Sequence, residues 1–191
     1  MKPLMISLCC FAILFLLTSC NQEPNVEDYS IEKVDHSLSD RDIESCFEVL
    51  GLRFERFRCM IPKRSGLNFS SQQYIKGRER RGEASGIIYV DKGLQELTLF
   101  MKQESDSISF SAQTTSGGAG CGSASIEDYS GKTWGWIPIK KLSQTEKQPI
   151  FFYAANAGSI KGFATDRIDI EALVNKYDFA MVIYVSIEDQ H

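Results

Sequence analysis

Histidine is scarce in this chain of 191 residues, and the shortage limits the chemistry that can be expected. There are two histidines, His36 and His191, and neither lies in a pattern that would hold it on a scaffold. A cysteine nucleophile most often needs a histidine base, and zinc sites draw mainly on cysteine and histidine. A cysteine–histidine catalyst and a metal centre are therefore not expected, and no cofactor motif is present.

The chain also lacks an apolar run of about 20 residues, the length that a membrane-spanning helix needs. The apolar stretch from Leu4 to Leu17 is interrupted by Ser7, follows Lys2, and ends at the polar sequence TSCNQEPN. A basic start followed by an apolar core of roughly 7–15 residues is typical of a secretory signal. We therefore expect export rather than a transmembrane helix.

The residues Leu17-Thr18-Ser19-Cys20 resemble the lipobox of bacterial lipoproteins, and the resemblance covers the first 20 residues only. In that family a diacylglyceryl group joins the cysteine sulfur, and a peptidase cuts just before the cysteine. The resemblance implies a signal peptide over 1–19 and lipid attachment at Cys20. The alternatives are an ordinary cleaved signal and an uncleaved anchor.

The same resemblance implies a location in the cell envelope. In Gram-negative members an aspartate after the cysteine favours the inner membrane, so Asn21 implies the periplasmic face of the outer membrane. Glu23, Glu27 and Asp28 weakly resemble surface-export signals, which makes the cell surface the alternative. In a Gram-positive source the anchor would lie in the outer face of the plasma membrane.

Charge is strongly segregated along the chain. Residues 21–52 hold nine acids against two bases, and residues 53–81 hold nine bases against two acids. The two segments can neutralise each other in the fold. Alternatively, Arg78, Arg80 and Arg81 form a patch for an anionic partner such as lipid headgroups, wall polymer or an acidic protein. Nucleic acid is not an expected partner, because export takes the domain outside the cytoplasm.

Three of the six cysteines remain for the folded domain once Cys9, Cys10 and Cys20 are assigned to the signal and the lipid. Exported domains are where disulfides form. Cys46 with Cys59 is the favoured pair, closing a loop of roughly 15 residues. The alternative is that Cys46 is buried and unpaired. Cys121 lies in the small-residue sequence SGGAGCGSAS, which we interpret as a loop, and it lacks a base.

The remaining patterns predict one α+β domain over 38–191, after a flexible tether over 20–37. A helix is expected after Ser39 and ending before Gly51, and another over Asp166 to Lys176. Strands are expected at LRFERFRCMI, 87–90, 94–102, 107–113, KTWGWIPI, PIFFYAA and FAMVIYVSI. Short connections favour a largely antiparallel sheet with about two helices on one face. A β-sandwich or small barrel is the alternative.

One further cluster suggests sugar chemistry. Glu127 and Asp128 lie near Trp134 and Trp136, and glycoside hydrolysis needs two carboxyl groups, often beside an aromatic platform. Adjacent carboxylates on a strand point to opposite sides, which weakens the case. The two tryptophans, two residues apart, share one face of a strand and are more simply interpreted as core packing.

Taken together, these patterns predict a lipid-anchored envelope protein with a non-enzymatic, partner-binding domain. An inhibitor, an immunity-like protein and an assembly accessory all fit, with a protein as the expected partner. A cell-wall or glycan-processing enzyme that uses carboxylates is one alternative. A structural lipoprotein that contacts the wall through its basic segment is the other.

The lipid assignment predicts that cells expressing the full chain will incorporate labelled palmitate into it, and that Cys20→Ala will abolish the label. Membrane attachment should be lost as well, because stable attachment needs two or three acyl chains. Gel autoradiography of the immunoprecipitated protein measures this. Absence of label on the wild-type protein would rule the assignment out.

Overall fold

A computed structural model of the chain describes residues 29–34, 47, 49–126, 129, 131–139, 141–158 and 169–189, without the side chains of 81–83, 120 and 189. Within these ranges there are ten β-strands and one short α-helix. The strands are β1 (Ser30–Lys33), β2 (Leu52–Ile61), β3 (Ser65–Ile75), β4 (Arg78–Val90), β5 (Gly93–Gln103), β6 (Ser107–Thr114), β7 (Gly117–Ser125), β8 (Gly131–Trp136), β9 (Gln148–Asn156) and β10 (Phe179–Asp189), and the helix is α1 (Ile170–Lys176).

The strands form two five-stranded antiparallel sheets. Sheet A has the order β1-β2-β5-β6-β7, and sheet B has the order β4-β3-β10-β9-β8. The chain changes sheet three times in the described part, between β2 and β3, between β4 and β5, and between β7 and β8. The sheets pack face to face around one large core, so the architecture is a β-sandwich.

The expected α+β fold with about two helices is therefore wrong, and its β-sandwich alternative is the architecture observed. Two segments, 63–85 and SGGAGCGSAS, were not among the expected strands. Residues 63–85 form β3 and most of β4, and SGGAGCGSAS contains all of β7. Serines, glutamines, arginines and glycines hide the strand pattern there, although Leu67 and Phe69 of β3 and Cys121 of β7 are buried in the core.

The two expected helices fare differently. Asp169 caps α1 by accepting a hydrogen bond from the Ala172 amide. The described helix therefore begins after Asp169, later than the expected start at Asp166. Residues 159–168 lie outside the described residues. Most of the expected first helix also lies outside them. Phe47 and Val49 are helical, and Gly51 has a φ of 65°, as expected for the left-handed residue that ends a helix.

Aromatic side chains join the two sheets at the centre of the core. The Trp136 ring on β8 lies 4.7 Å from Phe151, 5.9 Å from Phe110 and 6.5 Å from Phe57, centroid to centroid. It therefore contacts two strands of sheet A from the edge of sheet B. Such tilted and edge-on pairs add stability beyond the area that they bury.

A second, smaller cluster covers the outer face of sheet B. There α1 packs Leu173 and Val174 against Phe152 on β9 and Val182 on β10. The parts of β9 and β10 that are fully buried, residues 150–155 and 179–183, are apolar throughout. FAMVIYVSI, which was expected to be a strand, is the middle strand of sheet B.

The first strand lies within the segment that was expected to be a tether. Tyr29 and Ile31 are buried, and the Lys33 Nζ lies 2.8 Å from the Glu55 Oε2. Glu55 faces the interior of the sandwich, so this ion pair ties β1 to β2 at a buried carboxylate. The tether stays a prediction, but it extends no further than residue 28, and the folded domain includes Tyr29.

The segment 141–143 connects the two sheets beside β1. Lys141 forms an isolated β-bridge with Ser30, and the Leu142 amide donates to the Tyr29 carbonyl at 3.4 Å. One residue later, the Ile187 amide of β10 donates to the Ser143 carbonyl at 2.9 Å. The first described residues, Tyr29 and Ser30, are therefore connected through 141–143 to sheet B, while β1 pairs with β2 in sheet A.

The sandwich has two distinct ends. The near end holds Tyr29, the β2–β3 turn (62–64) and the β4–β5 turn (91–92). The far end holds the β3–β4 turn (76–77) and the β5–β6 turn (104–106). The 11 residues of β5 run from one end to the other, a length of roughly 36 Å at about 3.3 Å per residue.

A close approach between β7 and β3 generates a prediction for stability. A Cβ added at Gly122 would overlap the Ser71 Oγ and lie 2.6 Å from the Ser71 Cβ, and Gly122 has a φ of 152°. We expect Gly122→Ala to destabilise the mature domain by about 2–4 kcal/mol through overpacking and backbone strain. Urea unfolding followed by tryptophan fluorescence measures the change.

Gly117→Ala on the same strand is the matched control. An added Cβ there meets nothing within 4 Å, so we expect its unfolding midpoint to stay close to that of the wild type. Equal midpoints for the two variants would contradict the close packing of β7 on β3.

Candidate functional site

The lipid-attachment residue expected from the sequence, Cys20, lies outside the described residues, as do Cys46, Glu127 and Asp128. The structure brings together residues that the sequence patterns had not linked. No helix in the described part of the chain is long and apolar enough to cross a membrane. In the same part, no three of its His, Cys, Asp and Glu residues are grouped to hold a metal ion.

Cys59 is a free thiol that is buried between the sheets. Phe47, the neighbour of Cys46 in sequence, contacts Phe54 with ring centroids 5.4 Å apart. Phe54 lies on the outer face of β2, whereas Cys59 lies on the inner face. Cys46 lies outside the described residues, so the expected Cys46–Cys59 disulfide stays a prediction.

Cys121 is also a free and fully buried thiol. Burial raises the pKa of both thiols, Cys59 and Cys121, to about 12. The nucleophilic form of cysteine is the thiolate, which is scarce at neutral pH when the pKa is this high. The glycine-rich sequence around Cys121 is a strand packed on the other sheet rather than a loop that exposes a nucleophile.

The two tryptophans share the inner face of β8, as expected, and they serve the core more than the surface. Trp136 packs against the core. Trp134 is 36% exposed and stacks on Phe151 at 6.4 Å with an interplanar angle of 24°. One edge of Trp134 remains accessible, and the carboxylates expected to accompany it, Glu127 and Asp128, lie outside the described residues.

Arg78 and Arg80 are exposed at the start of β4, while the side chain of Arg81 is outside the described set. Arg80 does not stand in a uniformly basic patch. It lines a cleft whose opposite wall carries Glu104 and Asp106. Local carboxylates from the β5–β6 turn thus share this surface with the expected arginine patch.

This cleft, which we name the far cleft, occupies about 750 Å³ at the far end of the sandwich. It forms where the β3–β4 hairpin meets the β5–β6 turn over the end of β7. The residues that line it are predominantly polar: Gln73, Arg80, Glu104, Asp106, Ser107, Ser123, Ala124 and Ser125.

One hydrogen bond between the two sheets and two within sheet A hold the far cleft in shape. The Gln73 Nε2 donates to the Ser123 carbonyl at 2.8 Å, which joins β3 to β7. The Asp106 carbonyl accepts from the Ile126 amide at 2.7 Å and from the Ser125 Oγ at 3.4 Å. The walls are therefore fixed by backbone contacts, and side-chain groups remain available to face a ligand.

The far cleft separates charges of opposite sign. The pKa of Glu104 is lowered by a hydrogen bond from Lys102, by the positive charge of Lys102 and, after these, by a hydrogen bond from the Ser107 hydroxyl. This carboxylate therefore stays ionised at neutral pH. Arg80 makes no ion pair with any residue that the structure describes. The cleft thus presents a guanidinium on one wall and carboxylates on the other.

A second cleft of about 750 Å³ lies at the near end. The Tyr29 hydroxyl forms a hydrogen bond with the Ser65 Oγ at 2.9 Å and accepts another from the Gln144 Nε2 at 3.3 Å, and these bonds hold Tyr29 in the cleft. Lys63 and Lys141 also line it. This cleft was not expected, because Tyr29 had been assigned to the tether.

Comparison with known proteins gave no match to any family model, to any curated protein or to any solved structure.

The buried thiols predict two measurable properties. In the folded domain at pH 8, Cys59 and Cys121 should react with a thiol reagent at least ten times more slowly than in urea. A colorimetric thiol assay, performed in a Cys46→Ser background, measures the rates. Fast reaction of either thiol in the folded domain would contradict their burial.

The same thiols predict a loss of stability at alkaline pH. An unfolded thiol ionises near pH 9, whereas burial holds the pKa of both thiols near 12. Between these values the unfolded chain has lost protons that the folded domain keeps, so the free energy of unfolding falls as the pH rises. Urea titrations from pH 8 to 10 should show a steeper fall for the wild type than for Cys59→Ala/Cys121→Ala.

Proposed function

We propose that this chain is a lipid-anchored envelope protein whose β-sandwich binds a partner in the far cleft and catalyses no reaction. The observation that carries the proposal is the placement of that cleft. The chain enters the domain at Tyr29, at the near end, and the cleft lies at the opposite end of the strands. An anchor at Cys20 would leave the far cleft directed away from the membrane.

The ionisation of the cleft residues supports binding rather than catalysis. A general acid at neutral pH needs a raised carboxyl pKa, whereas the pKa of Glu104 is lowered. The thiols are buried and protonated. The groups that face the cleft are therefore suited to holding a charged ligand in place.

The chemistry of the cleft supports a polypeptide partner that carries both signs of charge. The Arg80 guanidinium can donate two parallel hydrogen bonds to a carboxylate, and Glu104 and Asp106 can accept hydrogen bonds from an ammonium or guanidinium group. The serine hydroxyls and the Gln73 amide oxygen add neutral hydrogen-bonding positions. Among the described residues that line this cleft none is aromatic, so they offer no stacking platform of the kind that many sugar sites have.

Photocrosslinking in cells tests the proposal. A benzophenone amino acid at Ser123, inside the far cleft, should capture an envelope protein that the same probe at Gln113 does not. Gln113 is exposed on the same sheet but lies on β6, away from the cleft. Equal capture at both positions, or none at Ser123, would contradict binding in the far cleft.

Charge substitutions sharpen the test. Arg80→Gln and Asp106→Asn should each reduce the Ser123 crosslink at least fivefold, because each removes one side of the charge match. Arg58→Gln, which makes the same change at an exposed position on the outer face of sheet A, should leave the yield unchanged. A comparable loss with Arg58→Gln would show that the effect is not specific to the cleft.

A further inference from the structure

We propose that the near end of the sandwich rests on the phospholipid headgroups of the membrane that holds Cys20, and that the β4–β5 turn is its contact element. This inference rests on the lipid anchor proposed above. It adds an orientation and a second membrane contact, made by the folded domain itself.

The length of chain between the lipid site and the domain limits where the near end can lie. Residues 21–28, eight in number, separate Cys20 from Tyr29. Fully extended, the connection reaches about 30 Å at roughly 3.5 Å per residue, less than the length of the sandwich. Tyr29 is itself fastened at the near end by Ser65 and Gln144. The near end is therefore the part of the domain held closest to the bilayer.

Exposed apolar side chains flank the turn at this end. Tyr89, the second-last residue of β4, is 54% exposed, and Leu94, the second residue of β5, is 60% exposed. They stand on the outer faces of sheets B and A, with Asp91, Lys92 and Gly93 between them. Tyrosine is enriched at membrane interfaces because its ring is apolar and its hydroxyl can stay hydrated.

Basic side chains are in excess at this end of the sandwich. The described charges at the near end are Lys63, Arg64, Lys92, Lys141 and Lys147 against Asp91, Glu146 and Glu188, which leaves an excess of two positive charges. Arg64 Nε and Asp91 Oδ1 lie 3.6 Å apart, and both side chains are largely exposed. Long basic side chains can keep their charge among phosphates while their stems cover apolar surface.

The three acids before Tyr29, Glu23, Glu27 and Asp28, offset this positive charge. Net charge alone therefore does not hold the domain to an anionic surface, and Tyr89 and Leu94 must supply part of the contact. A weak contact is sufficient here, since a short connection gives an effective concentration in the millimolar range. The same patch on a soluble domain would bind vesicles poorly.

Fluorescence quenching on the lipidated mature protein tests the inference. In a Cys46→Ser background, an environment-sensitive probe is attached at Lys92→Cys or, as the matched control at the far end, at Ser105→Cys. The protein is reconstituted in phosphatidylethanolamine–phosphatidylglycerol vesicles that carry a headgroup-level quencher. We expect quenching at position 92 at least threefold stronger than at position 105, and reduced at least twofold by Tyr89→Ser/Leu94→Ser.

The failures are distinguishable. Protein that does not float with the vesicles and has no acyl mass would overturn the lipid anchor and, with it, this inference. Protein that floats but shows equal quenching at 92 and 105 would overturn only the contact proposed here. Unchanged quenching in Tyr89→Ser/Leu94→Ser would overturn the role of the β4–β5 turn.

Discussion

The docking of β1 on β2 is the interaction on which the arrangement of the molecule depends. Tyr29 and Ile31 enter the core, and Lys33 pairs with the interior carboxylate of Glu55 at 2.8 Å. Because a charged group buried without a partner is costly, the pair strongly favours a docked β1. If β1 were detached, the chain would instead enter the sandwich at Leu52, the start of β2, which lies at the far end.

This single contact therefore assigns opposite roles to the two ends. With β1 docked, the near end carries the entry of the chain, the lysines and the exposed Tyr89 and Leu94. The far end carries the cleft with Arg80, Glu104 and Asp106. The Trp136–Phe110–Phe151 cluster fixes the two sheets to each other. The length of the strands then sets the separation between the proposed membrane contact and the proposed partner site.

Local sequence patterns predicted those strands in which buried apolar side chains alternate with more exposed ones. Leu97, Leu99 and Met101 alternate with exposed or half-buried residues, and β5 was expected almost to its ends. β3, most of β4 and β7 were missed because their serines, glutamines, arginines and glycines resemble loop sequence. Counting these segments as loops, and expecting two helices against one face of a single sheet, led to the α+β prediction, whereas the described residues hold one short helix.

The candidate site could be predicted only where its chemistry is local. The lipobox around Cys20 is read from four consecutive residues, and it remains an expectation. The far cleft combines Gln73 from β3, Arg80 from β4, Asp106 from a turn and Ser123 from β7. Arg80 was singled out from the sequence by its charge. Glu104 and Asp106, the carboxylates that face it, were not, because they become its neighbours only when sheet A packs against sheet B.

The central claim is that β1 is docked on β2, and hydrogen exchange of the β1 amides tests it most directly. The amides of β1 that pair with β2 should exchange in the mature domain as slowly as those of the β2–β5 pairing, at least a thousandfold slower than in an unstructured peptide. Lys33→Ala should accelerate the exchange of β1 while leaving β5 and β6 protected. Exchange of β1 in the wild-type domain at the rate of an unstructured peptide would show that the strand is not docked, and would contradict the assignment of the near and far ends.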